Sequence, residues 1–252
     1  MTRDDEDDEA QALAQLQDLQ RQSETRACLR SANCLSNVSL VRAQLSSVKL
    51  KSDIKRSSAF VKKLRVLSEA NAESLLRDAA ELNLTRYVSE CVAALADAPL
   101  KAADLAAAVK VASLLHQRYE DFAPGIQRAL VGSFEASYAS DDKSKMLKRR
   151  LLLRLLCELY LAGVLDDVQV IACIIQRVAR REQPGTKRGK GNMSMSTGTS
   201  SQQQLEVPLL VSFAKSVGVD FLGVQPKKYK ELEKQLQGNE EFHKFVETQT
   251  QV

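Results

Sequence analysis

The run Leu100–Pro124 reads L-K-A-A-D-L-A-A-A-V-K-V-A-S-L-L-H-Q-R-Y-E-D-F-A-P, and its reading decides the fold class. Leu105, Ala108, Val109, Ala112, Leu115 and Tyr119 recur at helical spacing and make one continuous apolar face. Val111 and Leu114 widen that face. A helix apolar over so much of its circumference is buried on more than one side, so other helices must pack around it. Asp104 falls in the first turn, where a carboxylate favours the positive end of the helix dipole. Pro124 is expected to end the run, because the residue before a proline is pushed out of helical geometry.

Outward from this helix the same periodicity continues. On the N-terminal side, helices are expected over 57–67 (Phe60, Val61, Leu64 and Leu67 inward), over 71–82, and over 83–96. Weaker helical patterns cover 9–24 and 29–50, and the acidic residues 1–8 read as disordered. On the C-terminal side, helices are expected over 126–138 and 143–161. Gly163 is a C-terminal stop, and Asp166 an N-cap for a helix through Val178. Residues 182–204 are polar and Gly/Ser-rich and read as a disordered loop. Helix resumes over 205–217, with Pro208 confined to its first turn, and again from Pro226 to Leu236; 240–252 reads as a frayed segment.

About nine helices on short connections imply an all-α chain: a HEAT-like α-solenoid of antiparallel helix pairs, with a compact bundle as the alternative. The expected division is an acidic tail with weak helices over 1–50, a helical-repeat domain over 51–238, and a frayed end over 239–252. The composition agrees. Of 252 residues, 44% are hydrophobic but only 5% aromatic, with no Trp, which suits Ala/Leu helix packing. Five cysteines, an odd number without metal spacing, read as free thiols of a reducing compartment; Cys91, Cys157 and Cys173 sit inside apolar helical patterns. No run of about 18 apolar residues predicts a membrane span.

Catalytic chemistry is hard to find. His116 and His243 lie far apart and neither has a ligand or acid at useful spacing. G-T-K-R-G-K-G at 185–191 has three residues where the phosphate-loop pattern needs four, and Gly191 where it needs Ser or Thr. The paired carboxylates Asp166 and Asp167 are explained by helix capping. The chain reads as a non-enzyme with no cofactor, no metal and no small-molecule substrate. The net charge of +4 is unevenly spread. Lys49, Lys51, Lys55, Arg56, Lys62, Lys63 and Arg65 form one basic stretch; Lys143, Lys145, Lys148, Arg149, Arg150 and Arg154 form another. Lys62, Lys63, Lys148, Arg149 and Arg150 are the candidate RNA contacts. Without interleaved aromatics such contact is to the backbone and not sequence-specific. The plainer reading is a solvated helix face.

The run L-H-Q-R-Y-E-D-F-A-P at 115–124 resembles the first helical-repeat domain of the up-frameshift-two family of regulators of nonsense transcripts, in the class (MIF4G) named for the middle domain of initiation factor 4G. A-F-V-K-K-L at 59–64, L-N-L-T-R-Y-V-S-E at 82–90, L-C-E-L-Y-L-A-G-V at 156–164, and V-S-F-A-K-S-V-G-V-D with G-V-Q-P-K-K between 211 and 228 agree in order. The resemblance covers about 55–230. It implies a HEAT-like α-solenoid and a scaffold of nonsense-mediated mRNA decay, with surveillance-complex proteins as partners and a cytoplasmic or perinuclear location. Family members bridge a helicase and the partner linked to exon-junction complexes, through later domains. Since this chain stops soon after the first domain, it reads as an N-terminal fragment, a truncated gene or a reduced paralogue, and no functional residue transfers. The alternative is a related module of translation initiation that binds RNA or a helicase.

Overall fold

The computed structural model describes residues 3–45, 50–138, 145–180 and 200–222, with Leu232 and Leu236. The expected loop 182–204, the helix from Pro226 and the frayed segment lie wholly or mostly outside the described residues. Ten α-helices are described: α1 (Arg3–Ala32), α2 (Leu35–Leu45), α3 (Ile54–Leu64), α4 (Glu69–Glu81), α5 (Val88–Asp97), α6 (Leu105–Arg118), α7 (Phe122–Tyr138), α8 (Met146–Leu161), α9 (Val168–Arg180) and α10 (Ser200–Leu222). A single 3-10 turn, Thr85–Tyr87, precedes α5. No strand occurs among the described residues; Lys51 alone makes an isolated bridge to Leu82. The chain divides into two units, 1–28 with 218–252, and 29–217.

In the larger unit α6 has the predicted character. Leu105, Ala107, Ala108, Val109, Val111, Ala112, Ser113 and Leu115 are all buried. It packs against α2, α4, α7 and α8. The register of these contacts decides between solenoid and bundle. Helices two apart in sequence stack side by side: α3 on α5, α5 on α7, α4 on α6, and α6 on α8. Successive hairpins therefore add to two parallel layers, the arrangement of a HEAT-like solenoid. Phe60, Phe122 and Phe134 are the largest side chains fully enclosed between the layers.

Polar groups set the joints. Asp104 is the residue before α6 rather than inside its first turn, and it does not cap α6. Its carboxylate accepts from the Glu69 amide (3.1 Å), the first residue of α4, and from the Lys101 amide (2.9 Å). One side chain thus supports the N-terminus of the helix beside its own. Gly163, at φ 75°, closes α8: the Val164 amide donates to Leu159 O (2.9 Å) and the Gly163 amide to Tyr160 O (2.9 Å). Together these form the paired bonds of a Schellman stop, whose positive φ favours glycine.

Several boundaries differ from expectation, for identifiable reasons. The backbone is helical from Arg3, not from Glu9. Acidic residues at a helix N-terminus favour it. The pattern over 29–50 is broken at Asn33, because that side chain has left the helix surface. It donates to Ala162 O (2.8 Å) and accepts from Ser113 (3.0 Å) and Gln117 (3.0 Å), joining the end of α1 to α6 and α8. Pro124 does not end α6. It lies in the first turn of α7, where its missing amide hydrogen has no helical partner to lose. Asp167, not Asp166, caps α9, accepting from the Gln169 amide at 2.9 Å. Pro208 lies inside α10 rather than in its first turn; the run on both sides continues the helix, which carries the loss of one backbone bond. Cys91 and Cys157 are buried, and burial pushes both thiols up to about 12. Cys173 is exposed on α9.

In the smaller unit, Ala12 and Leu16 pack with Leu232 and Leu236, joined by Leu13 and Leu19. Arg26 pairs with Asp220 at 3.1 Å.

Candidate functional site

Two of the motifs that the sequence sets apart meet at a single joint. α6 stops at Arg118 because Tyr119 turns to extended geometry, φ −123° and ψ 117°. That turn carries the tyrosine ring into the core. Its hydroxyl accepts from the Leu84 amide (2.8 Å) and donates to Leu82 O (3.3 Å). The segment between α4 and the 3-10 turn has no helical partners for these groups, so the phenol supplies them. Burial pushes the phenol upward in pKa, so it stays a neutral donor. Arg118 donates to Ala79 O (2.7 Å) in the last turn of α4, where a cation suits the negative end of the helix. The motif residues at 82–87 and 115–120 therefore hold the two hairpins in register.

A cleft of about 420 Å³ opens beside the joint, with Arg42, Asn83, Thr85, Arg118, Glu120 and Asp121 among its walls. Both arginines turn toward main-chain oxygens: Arg118 as above, and Arg42 to His116 O at 2.8 Å. The His116 imidazole is mostly buried; burial, then the Arg42 charge, lowers its pKa, and its Nδ1 has no partner. No nucleophile in the cleft is set against a base. Among the described residues no group of three or more His, Cys, Asp and Glu side chains is placed to hold a metal ion.

The basic stretches are a second candidate surface. On the α3 side, Lys51 reaches Glu81 (3.0 Å), Arg56 reaches Asp78 (3.1 Å) and Glu81 (3.3 Å), and Lys63 reaches Asp78 (3.0 Å) and Ser74 (3.3 Å). Burial works to raise the Asp78 carboxyl, but hydrogen bonds from Lys63 and Arg56 outweigh it and hold it low. Glu81 is lowered by Lys51 and then Arg56. Lys63 is thus drawn into an ion-pair ladder, while Lys62, one residue away, points to solvent. On the α8 side, Lys148 is exposed. Arg149 is buried at 6% exposure. Its guanidinium donates to Ser137 O from Nε (2.8 Å) and Nη2, and lies 5.7 Å from the Tyr138 ring centre. It closes the C-terminus of α7, and a phosphate does not reach it in this arrangement. Arg150 is half-buried, with Nη2 3.4 Å from Met146 Sδ.

The MIF4G domain family pattern matches residues 49–251. The chain belongs to the MIF4G domain family. It is 33% identical to the regulator of nonsense transcripts UPF2 of Arabidopsis thaliana over 235 residues, covering 88% of this chain and 19% of the relative. It is 31% identical to the human regulator of nonsense transcripts 2 over 182 residues, covering 72% of this chain and 13% of the relative. A yeast nonsense-mediated mRNA decay protein 2, from Saccharomyces cerevisiae, is 33% identical over 157 residues, covering 56% and 14%. The chain therefore spans less than a fifth of the length of these relatives. In structure it is similar to the first MIF4G domain of human nonsense mediated decay factor UPF2, with TM-score 0.70 and 25% identity, covering 96% of this chain and 77% of that one.

The structure adds residues that motif reading passed over. Asn33 and the Asp78–Glu81 pair are the clearest. Asp78 and Glu81 lie i, i+3 on the polar side of a helix that follows a basic helix after a short turn, and that hairpin spacing is the signal for them. Nothing in the sequence near Asn33 marks it.

Proposed function

We propose that this MIF4G domain is a non-catalytic scaffold of nonsense-mediated mRNA decay, and that it works by docking protein partners. The observation that carries the reading is the joint likeness, in sequence to regulators of nonsense transcripts and in structure to a first MIF4G domain of that class. Two features of the geometry support docking over catalysis. The motif residues Arg118 and Tyr119 are committed to main-chain groups, and layered helices present long solvent-facing ridges. Contact with RNA is secondary: of the five candidate cations, Lys62 and Lys148 are exposed on helix faces, Arg150 is half-buried, Lys63 is paired and Arg149 is enclosed. A cytoplasmic or perinuclear location belongs to the same proposal.

Affinity purification of the tagged chain, with and without ribonuclease and read by mass spectrometry, tests it. Surveillance proteins retained after ribonuclease are the expected result. Recovery of translation initiation factors instead, or loss of every protein on ribonuclease treatment, overturns it.

A further inference from the structure

The basic stretch around α3 is divided by the fold into two flanks of different fate. The flank toward α4 is neutralised through Asp78 and Glu81. The outer flank carries Lys55, Ala59, Lys62 and Val66 at i, i+4, i+7 and i+11, one stripe along the helix axis and just past its end. All four are exposed, and neither lysine has an acidic partner among the described residues. Val66, at 62% exposure, closes one end of the stripe, and Ile54, at 75%, flanks the other.

The stripe lies opposite the buried Ser57, Phe60, Val61 and Leu64, so it is the side of α3 turned to solvent. Two lysines seven residues apart stand two turns apart on it, the repeat of one helix face. We propose that this face docks an acidic amphipathic α-helix from a protein partner. Carboxylates on that helix about 10.5 Å apart, two turns, meet Lys55 and Lys62. Small apolar side chains between them cover Ala59 and reach Ile54 and Val66. Charge complementarity selects an acidic partner, and the exposed Ile54 and Val66 favour a helix with apolar side chains over a phosphate backbone, which leaves both uncovered. This proposal rests on the scaffold reading and deepens it by naming the surface.

A photo-crosslinking amino acid at position 59 of the full chain, used in cells, tests the surface. Cross-linked material is digested and the attached segment sequenced. The expected product is one discrete protein segment with helical periodicity and carboxylates on one face. Its yield falls about tenfold or more in Lys55→Glu/Lys62→Glu and is unchanged in Lys148→Glu. Circular dichroism melts show that the variants stay folded, as exposed sites allow. Cross-linking to RNA, to a second copy of this chain, to a segment without acidic helical character, or to nothing overturns the surface. If surveillance proteins are still recovered from Lys55→Glu/Lys62→Glu, the surface is wrong while the scaffold function stands. If the acidic helix belongs to a protein outside mRNA surveillance, the surface stands and the functional reading falls.

Discussion

The basic stretches around α3 and at the head of α8 look alike in sequence and end differently in the fold. On α3 the cations stay at the surface, either paired across the hairpin with Asp78 and Glu81 or left in solvent as Lys55 and Lys62. On α8 the chain turns a cation inward: Arg149 lies in the core against the Ser137 carbonyl and the Tyr138 ring. α8 lies between α7 and α9 and beside α6, so a cation on it meets protein; the outer side of α3 is turned to solvent. A run of positive charge in a sequence thus measures surface potential only after the fold has removed its paired and buried members.

The comparison is broken most forcefully at Arg149. Arg149→Ala should lower unfolding free energy by about 2–4 kcal/mol, since charged hydrogen bonds are lost and Ser137 O is left without those donors. Lys62→Ala should change it by less than about 0.5 kcal/mol. Denaturant unfolding of both checks this, and equal effects would erase the distinction. The joint at Tyr119 comes next. Tyr119→Phe keeps the ring but strands the Leu84 amide, at about 1–3 kcal/mol by the same measurement. Asp78→Asn should cost only about 0.5–1 kcal/mol, because the ladder is partly exposed, and the loss should shrink in high salt.

The smallest effect is in pH. The folded pKa values of Asp78 and Glu81 are depressed, so the native state binds fewer protons than the unfolded chain there. Their contribution is present above the unfolded carboxylate value of about 4 and is lost as pH falls through the folded values. His116 is also depressed, by burial, so its share is present above about 6.5 and is lost as pH falls below that. Melting temperature should therefore drop in two steps on acidification, and His116→Gln should remove the upper one.

How much of this was legible in the sequence follows the physics of each element. α6 was legible because its apolar residues recur at 3.6 over about four turns, with Ser113 and His116 the few polar groups drawn into that side. The Gly163 stop was legible because a positive φ favours one residue type. Tyr119 was placed on the right face for the wrong reason: it reads as one more apolar residue of α6, yet it acts through its hydroxyl after the helix has ended. Asn33, Asp104 and Arg149 act on main-chain groups 35 to 129 residues away or, for Arg149, across the turn from α7. Such bonds leave no local period. The candidate cations were legible as charges but not as surface: Lys62 and Lys63 are adjacent, and only the hairpin partner separates them.

The most direct test of the claim that these cations are mostly committed within the fold is the salt dependence of RNA binding. Fluorescence anisotropy with a single-stranded oligonucleotide gives the slope of log affinity against log salt. With Lys55, Lys62, Arg65 and Lys148 exposed in the two stretches, the slope should be no steeper than about −3. Arg149→Gln, which removes the charge, should leave it unchanged in protein shown to be folded by circular dichroism. A slope of about −4 or steeper that flattens in Arg149→Gln would contradict the account, because it would require the buried arginine to face RNA.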